Sequence, residues 1–173
     1  VLAETLAGLE NVEVIFRDFN KLNLKEFEKE IEEYTVVANL PYYITTPLVT
    51  KLLEESDKVQ GLSIMVQEEV AERFCAKENT AEYGSITAAI ALKGSAKIVK
   101  RVSRNLFYPR PNVDSAVVKI EFERGRVAVK DERAYRQTVK CAFLNRRKTL
   151  ENNLVNFFKL TREQAQEILR LAG

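Results

Sequence analysis

Hydrophobic positions fall along this chain in short runs of two periods, and their order is that of alternating strands and helices. Residues 1–9 read as the end of a helix broken at Gly8, and residues 12–16 alternate as a short strand ending at Arg17 and Asp18. A charged helix is predicted over 25–33, then a small apolar strand over 35–38, followed at once by Asn39-Leu40-Pro41-Tyr42. Thr46 and Pro47 supply an N-cap and first-turn signal for a helix through Glu54. The run 61–66 is continuous and of strand length, 68–76 has the helical period, and 86–93 is a helix opened by Tyr83-Gly84-Ser85 and stopped by Gly94. Two β-rich runs, 96–102 and 115–122, flank a proline-bearing loop at 104–114.

Beyond Asp131 no strand signal remains. Helices are predicted at 133–144, 149–158 and 161–172, the last opened by the capping pattern Thr161-Arg162-Glu163-Gln164. Strands alternating with helices predict a mostly parallel sheet covered on both faces, and the late strand pair with no helix between its members predicts an antiparallel edge strand. The expected fold class is therefore α/β: a Rossmann-like sheet domain over 1–127 with its first strands missing, then a small helical domain over 128–173 that is itself expected to be incomplete.

Charge sharpens this picture. The net charge is only +2, yet residues 1–96 hold nine basic and 17 acidic side chains, whereas residues 97–150 hold 15 basic and five acidic. A basic block interrupted by aromatic and turn residues points to an anionic partner, nucleic acid before membrane. No stretch approaches the roughly 18 apolar residues of a membrane span, and the start of the chain has neither a basic flank nor a long apolar run. A soluble, cytoplasmic protein is expected, monomeric by default.

The absence of histidine excludes a Ser-His-Asp hydrolase, a His-ligated metal and the usual imidazole base. Cys75 and Cys141 lie far apart in apolar helical contexts without a CxxC partner, so they read as small buried hydrophobes, and no metal site is expected.

Chemistry that needs no titrating group is available at Asn39-Leu40-Pro41-Tyr42. The tetrapeptide follows a predicted strand, where open α/β sheets bind their ligands. An exocyclic adenine amine is a poor nucleophile because its lone pair is delocalised into the ring. Two acceptors that take its hydrogens, the Asn39 side-chain oxygen and the Leu40 carbonyl held outward by Pro41, would aim that lone pair at an electrophilic methyl. Tyr42 would stack on the extruded base, an interaction worth roughly 1–3 kcal/mol. An ordinary Asn/Pro turn with a buried tyrosine explains the same four residues equally well.

The likeness extends past the turn. NLPYYITTPL at 39–48, MVQEEVAERF at 65–74, EYGSITA at 82–88, NLFYPRPNVDSAVV at 105–118 and FLNRRKTLENNL at 143–154 together resemble the bacterial KsgA family of adenine dimethylases. The resemblance implies S-adenosylmethionine as methyl donor and two adjacent adenines of small-subunit ribosomal RNA, within a pre-ribosomal particle, as substrate. It implies that Asp18 accepts a hydrogen bond from the cofactor's adenine amine, that Asn39 contacts both cofactor and target, and that Phe107 closes on the opposite face of the base. Arg101, Arg104, Arg110, Arg146, Arg147 and Lys148 are the candidate phosphate contacts, the last three just ahead of a helix N-terminus. Glu68 stands where the family usually has a basic residue.

Gly8, Gly61, Gly84, Gly94, Gly125 and Gly173 are isolated, so the glycine-rich loop of a complete family member has no counterpart here. Weak cofactor binding and no activity by this chain alone are the resulting expectations. Other readings are an RNA-binding assembly factor of the small subunit that needs no catalysis, a large-subunit methylase of the erythromycin-resistance type, which shares the Asn-x-Pro-Tyr turn, and a DNA adenine methyltransferase.

Overall fold

The computed structural model describes residues 2–123, 125–145 and 147–173. After the short helix α1 (Leu2–Thr5), residues 12–18 take no regular structure, and the strand expected at 12–16 does not form. Val14, Ile15 and Phe16 are exposed, the last completely. A β-period segment becomes a strand only where a neighbour supplies its ladder, and among the described residues none pairs with 12–16. The helix expected at 25–33 is one turn, α2 (Leu24–Phe27), that tightens into a 3₁₀ turn over Glu28–Glu30.

Four strands form the sheet: β1 (Tyr34–Asn39), β2 (Val59–Gln67), β3 (Gly94–Val102) and β4 (Ser115–Phe122), in the order β1-β2-β4-β3. β1 and β2 are parallel, and β4 runs antiparallel to both β2 and β3. Three strands therefore point one way, as expected, but the reversed strand sits inside the sheet rather than at its edge. The loop after β3 is long enough for β4 to pass back between β2 and β3.

Register places Val36 and Ala38 beside Leu62 and Ile64, and these beside Ile120 and Val118. This single face carries the core, where α3 (Thr45–Glu55), α4 (Glu68–Phe74) and α5 (Ser85–Lys93) contribute Leu48, Val49, Leu52, Phe74 and Ile90. The opposite face bears Val37, 81% exposed, with Ser63, Lys119 and Lys97 across the ladders. Coverage of both faces is thus not found among the described residues, because α3 and α4 both lean on α5 and share its side. α3 also starts differently from the sequence pattern. It continues directly from the 3₁₀ turn Tyr42–Ile44, and Thr46 lies inside the helix without capping it.

The last three helices are α6 (Glu132–Ala142), α7 (Leu150–Phe158) and α8 (Arg162–Ala172). Asp131, Thr149 and Thr161 cap them through their side chains, and Thr161 with Gln164 forms the expected capping box. A second apolar cluster, centred on Cys141, Leu154 and Ala165, lies among these helices. α6 joins it to the sheet core: the Tyr135 hydroxyl donates to the Ala88 carbonyl at 3.2 Å, and Arg136 reaches the carbonyls of Leu53 and Glu54 at the end of α3. Burial pushes both cysteine thiols up, so neither is a ready nucleophile.

A carboxylate is among the polar groups buried beside the first core. The Glu28 carboxylate, 4% exposed, accepts from the Tyr34 hydroxyl at 2.6 Å and the Ser56 hydroxyl at 2.5 Å. Burial first, then the hydrogen bond to Glu28, pushes the Tyr34 phenol well above its ordinary value of 10.0. A raised folded value means that folding favours the protonated phenol, so this stabilisation is complete below about pH 10 and is lost as pH climbs towards the folded value. In urea unfolding between pH 8 and 11, wild type is expected to lose stability relative to Tyr34→Phe only above about pH 10. A gap between the two that stays constant through that window would contradict the assignment.

Candidate functional site

The carboxyl ends of β1, β2 and β3 and the start of β4 lie together. Asn39 is the last residue of β1 and pairs with Met65, Gln67 ends β2 opposite Ser115, and Ser115 also faces Val102 at the end of β3. Segments 39–42, 67–72 and 103–114 are thereby brought to one edge of the sheet, the edge at which parallel strands leave their ligand crevice.

Asn39 is exposed there and Leu40 is half-buried against the core. Pro41 has an extended backbone (ψ 136°), and its carbonyl accepts from Ile44 at 3.1 Å, which closes the turn into α3. Tyr42 is half-buried and its hydroxyl is 2.8 Å from the hydroxyl of Ser115, which is wholly buried. The neighbouring Tyr43 is 84% exposed. Sequence reasoning missed Ser115, since nothing in the strand pattern distinguishes a bonded serine from a spacer.

The loop at 103–114 folds on itself. Ser103 caps a 3₁₀ turn over Arg104–Leu106 by accepting from Asn105, and the Asp114 side chain accepts from the Arg104 amide at 2.8 Å. Phe107 follows this turn and is half-buried, whereas Leu106 and Tyr108 stand out into solvent. An open cleft of about 480 Å³ runs from this loop to α4, lined by Gln67, Glu68, Glu69, Glu72, Arg104 and Asp114 among others. Two further clefts lie elsewhere: one by the beginning of β2 and the end of β4, and one along α3, α5 and α6. None of the three is lined by residues of the 39–42 turn or by Phe107.

The candidate basic residues divide into two sets. β3 shifts register between Ile98 and Lys100, a one-residue bulge at Val99 that turns Arg101 toward the helix-covered side, opposite Ala116. Its guanidinium is paired there with Glu68 and, at 3.4 Å, with Glu72. Arg104 donates to the Asn112 carbonyl at 2.8 Å within its own loop. Arg110, Arg147 and Lys148 are exposed. Arg146 lies outside the described residues.

The turn before α7 is held from within. Asn153, 1% exposed, donates to the carbonyls of Ala142 and Asn145, and Lys148 donates its amide to Asn145 at 2.9 Å. Asp18 caps the 3₁₀ turn Phe19–Lys21, with its Oδ1 accepting from Asn20, and is exposed. Lys51 of α3 ties this turn down by donating to the Phe19 and Asn20 carbonyls.

The model for ribosomal RNA adenine dimethylases matches residues 1–172. The chain belongs to that family. It is 43% identical over 176 residues to the ribosomal RNA small subunit methyltransferase A of Geobacillus thermodenitrificans, covering 98% of this chain and 60% of that protein. With the protein of the same name from Bacillus mycoides the identity is 44% over 181 residues, covering all of this chain and 62% of the relative. The chain thus spans about three-fifths of the length of these relatives. Among solved structures it resembles a dimethyladenosine transferase from Plasmodium falciparum, with TM-score 0.69, 28% identity and coverage of 85% of this chain and 51% of that one. The fold also matches the 23S rRNA methyltransferase ErmE, with TM-score 0.68, 24% identity and coverage of 98% and 66%.

A methyltransferase family implies S-adenosylmethionine as methyl donor, and the residues present suit part of it. The Asp18 carboxylate and the Asn39 side chain are exposed acceptors, appropriate to amino groups, Asp18 at the turn that Lys51 of α3 holds and Asn39 just before the turn that leads into α3. Among the described residues no group of three or more Cys, Asp or Glu is arranged to hold a metal, and no helix is long and apolar enough to cross a membrane.

Proposed function

We propose that the protein transfers methyl groups from S-adenosylmethionine to the N6 atoms of adjacent adenines in small-subunit ribosomal RNA, and that this chain supplies the base-capture turn and much of the RNA-facing surface. The observation that carries the reading is the position of Asn39: an exposed carboxamide at the carboxyl end of β1, followed by a proline-fixed turn and a tyrosine held by the start of β4.

Bound S-adenosylmethionine supplies an electrophilic sulfonium methyl. The Asn39 oxygen and the Leu40 carbonyl accept the two hydrogens of the exocyclic amine and draw its lone pair out of conjugation with the ring; once methylated, N6 is cationic and releases one proton to solvent, so that a single hydrogen is held for the second transfer. Neither acceptor changes protonation state, which suits a chain without histidine. Tyr42 stacks on one face of the extruded purine and Phe107 closes on the other, offsetting the stacking lost on extrusion. Asp18 holds the amine of the cofactor's own adenine. Arg110, Arg147 and Lys148 bind phosphates, with Arg146 beside them in sequence, and Arg101 and Arg104 join them only by exchanging their present partners. A sheet domain over 1–127 with an RNA-binding helical domain over 128–173, working as a cytoplasmic monomer on a pre-ribosomal particle, completes the reading.

The test is incubation of the whole protein with methyl-labelled S-adenosylmethionine and unmethylated small-subunit particles, followed by nucleoside mass spectrometry. N6,N6-dimethyladenosine in small-subunit RNA is the expected product. Binding to the particles with no methylated adenine would favour the assembly-factor reading, and product in large-subunit RNA the erythromycin-resistance type.

A further inference from the structure

The turn at 39–42 leaves β1, at one edge of the strand order, and the loop at 103–114 leaves β3, at the other. One dipeptide joins them. Ser115 bonds the Tyr42 hydroxyl at 2.8 Å. Asp114 beside it accepts the Arg104 amide through its side chain at 2.8 Å and the Glu68 amide of α4 through its carbonyl at 3.0 Å. Arg104 opens the turn ahead of Phe107, and the Phe107 amide returns to the Arg104 carbonyl at 3.3 Å. An unbroken series of covalent and hydrogen bonds therefore runs from Tyr42 to Phe107 through Ser115 and Asp114.

Strand pairing alone does not call for these side chains. At the first position of β4, between Gln67 and Val102, any small or β-branched residue could pair and be buried. A wholly buried hydroxyl is favourable only with a partner, and the partner here is the ring assigned to the base. Asp114 likewise receives one backbone amide, that of the turn presenting the second ring.

We infer that Asp114 and Ser115 are positioning residues for base capture. The Ser115 hydroxyl anchors the far end of the Tyr42 ring and so fixes its axis, and the Asp114 carboxylate sets the turn that presents Phe107, so that both rings address one base. This deepens the adenine-methylation reading and rests on it for the identity of the base. Ser115 is bonded to none of the phosphate contacts, so at Ser115 base capture and overall RNA affinity separate, whereas Asp114 also holds the backbone of Arg104.

The probe is a short RNA with 2-aminopurine at one adenine and a terminal fluorescein, which reports base environment and total binding in one titration. Ser115→Ala and Tyr42→Phe are each expected to reduce the 2-aminopurine response at least about five-fold and kcat about 10- to 100-fold, with RNA Kd and KM within about two-fold. The double variant should be no worse than either single, because both remove the same bond. Ser115→Thr, which keeps the hydroxyl, and Asp114→Asn, which keeps the acceptor oxygen, should restore the response, and Asp114→Ala should lose it. Should Ser115→Ala fail to fold, Tyr42→Phe at the half-buried end of the bond decides. A full response in Tyr42→Phe, or a loss of RNA affinity equal to the loss of response, overturns the positioning role and leaves the adenine reading standing. If the unmodified protein gives no response on the short RNA and no methyl transfer to unmethylated small-subunit particles, both fall.

Discussion

Replacing Asn39 by Ala is expected to lower kcat for methyl transfer by about 10²- to 10³-fold, the loss typical of removing one preorganised polar contact to a reacting centre. The amine keeps only the Leu40 carbonyl as acceptor, and its lone pair relaxes back into the ring. RNA affinity should change little, since the phosphate contacts are elsewhere, and the fold should tolerate the substitution because the side chain is exposed at a strand end. Single-turnover methylation and fluorescence anisotropy on the same preparation check both halves. Methylation at the wild-type rate would remove Asn39 from the mechanism. A fall in affinity with intact turnover would make the turn a binding element, as the assembly-factor reading requires.

The largest effect on stability is expected from Gly94→Ala. Gly94 ends α5 and begins β3 with no loop between, and its backbone is extended (φ 177°), a conformation open to any residue. The difficulty is space: a Cβ there would collide with the Glu121 carbonyl across the β3–β4 ladder. Both sides of that contact are backbone, and the Glu123 amide is bonded to the Lys93 carbonyl at 2.8 Å just beside it, so neither strand can give way locally. A loss of about 3 kcal/mol is expected, the upper end for overpacking, against a total stability of about 5–15 kcal/mol. The thermal midpoint should fall by roughly 6–12 °C for a chain of this length. A midpoint within about 2 °C of wild type would show that β3 and β4 do not approach as described.

Gly94 also shows what kind of information a linear pattern holds. Read along the chain it is a helix stop, and the helix does stop there; the reason for glycine, a carbonyl 27 residues away, is not local. Asn39 is the opposite case. Its place at the end of an apolar β-run followed by Leu-Pro-Tyr already puts it at the mouth of a sheet, and the structure finds it exposed at that mouth.

Arg101 and Ser115 lie between these cases. Both stand in readable strands, but a bulge at Val99 decides which face Arg101 takes, and the carboxylates of α4 then claim its charge. The Ser115 hydroxyl acquires meaning only from a tyrosine 73 positions earlier.

Periodicity and capping residues predicted by themselves the order of the strands and helices that do form, the three C-terminal helices and the cap at Thr161, because these depend on neighbours within a few positions. Only the tertiary structure decided that residues 12–16 stay without a ladder, that the reversed strand lies between β2 and β3, that one sheet face holds the described core, and that Asp114 and Ser115 join the turn to the loop. Each of these is a contact between segments far apart in the chain, where strand pairing, sterics and hydrogen-bond partners are settled by which surfaces meet, and local propensity carries no record of that meeting.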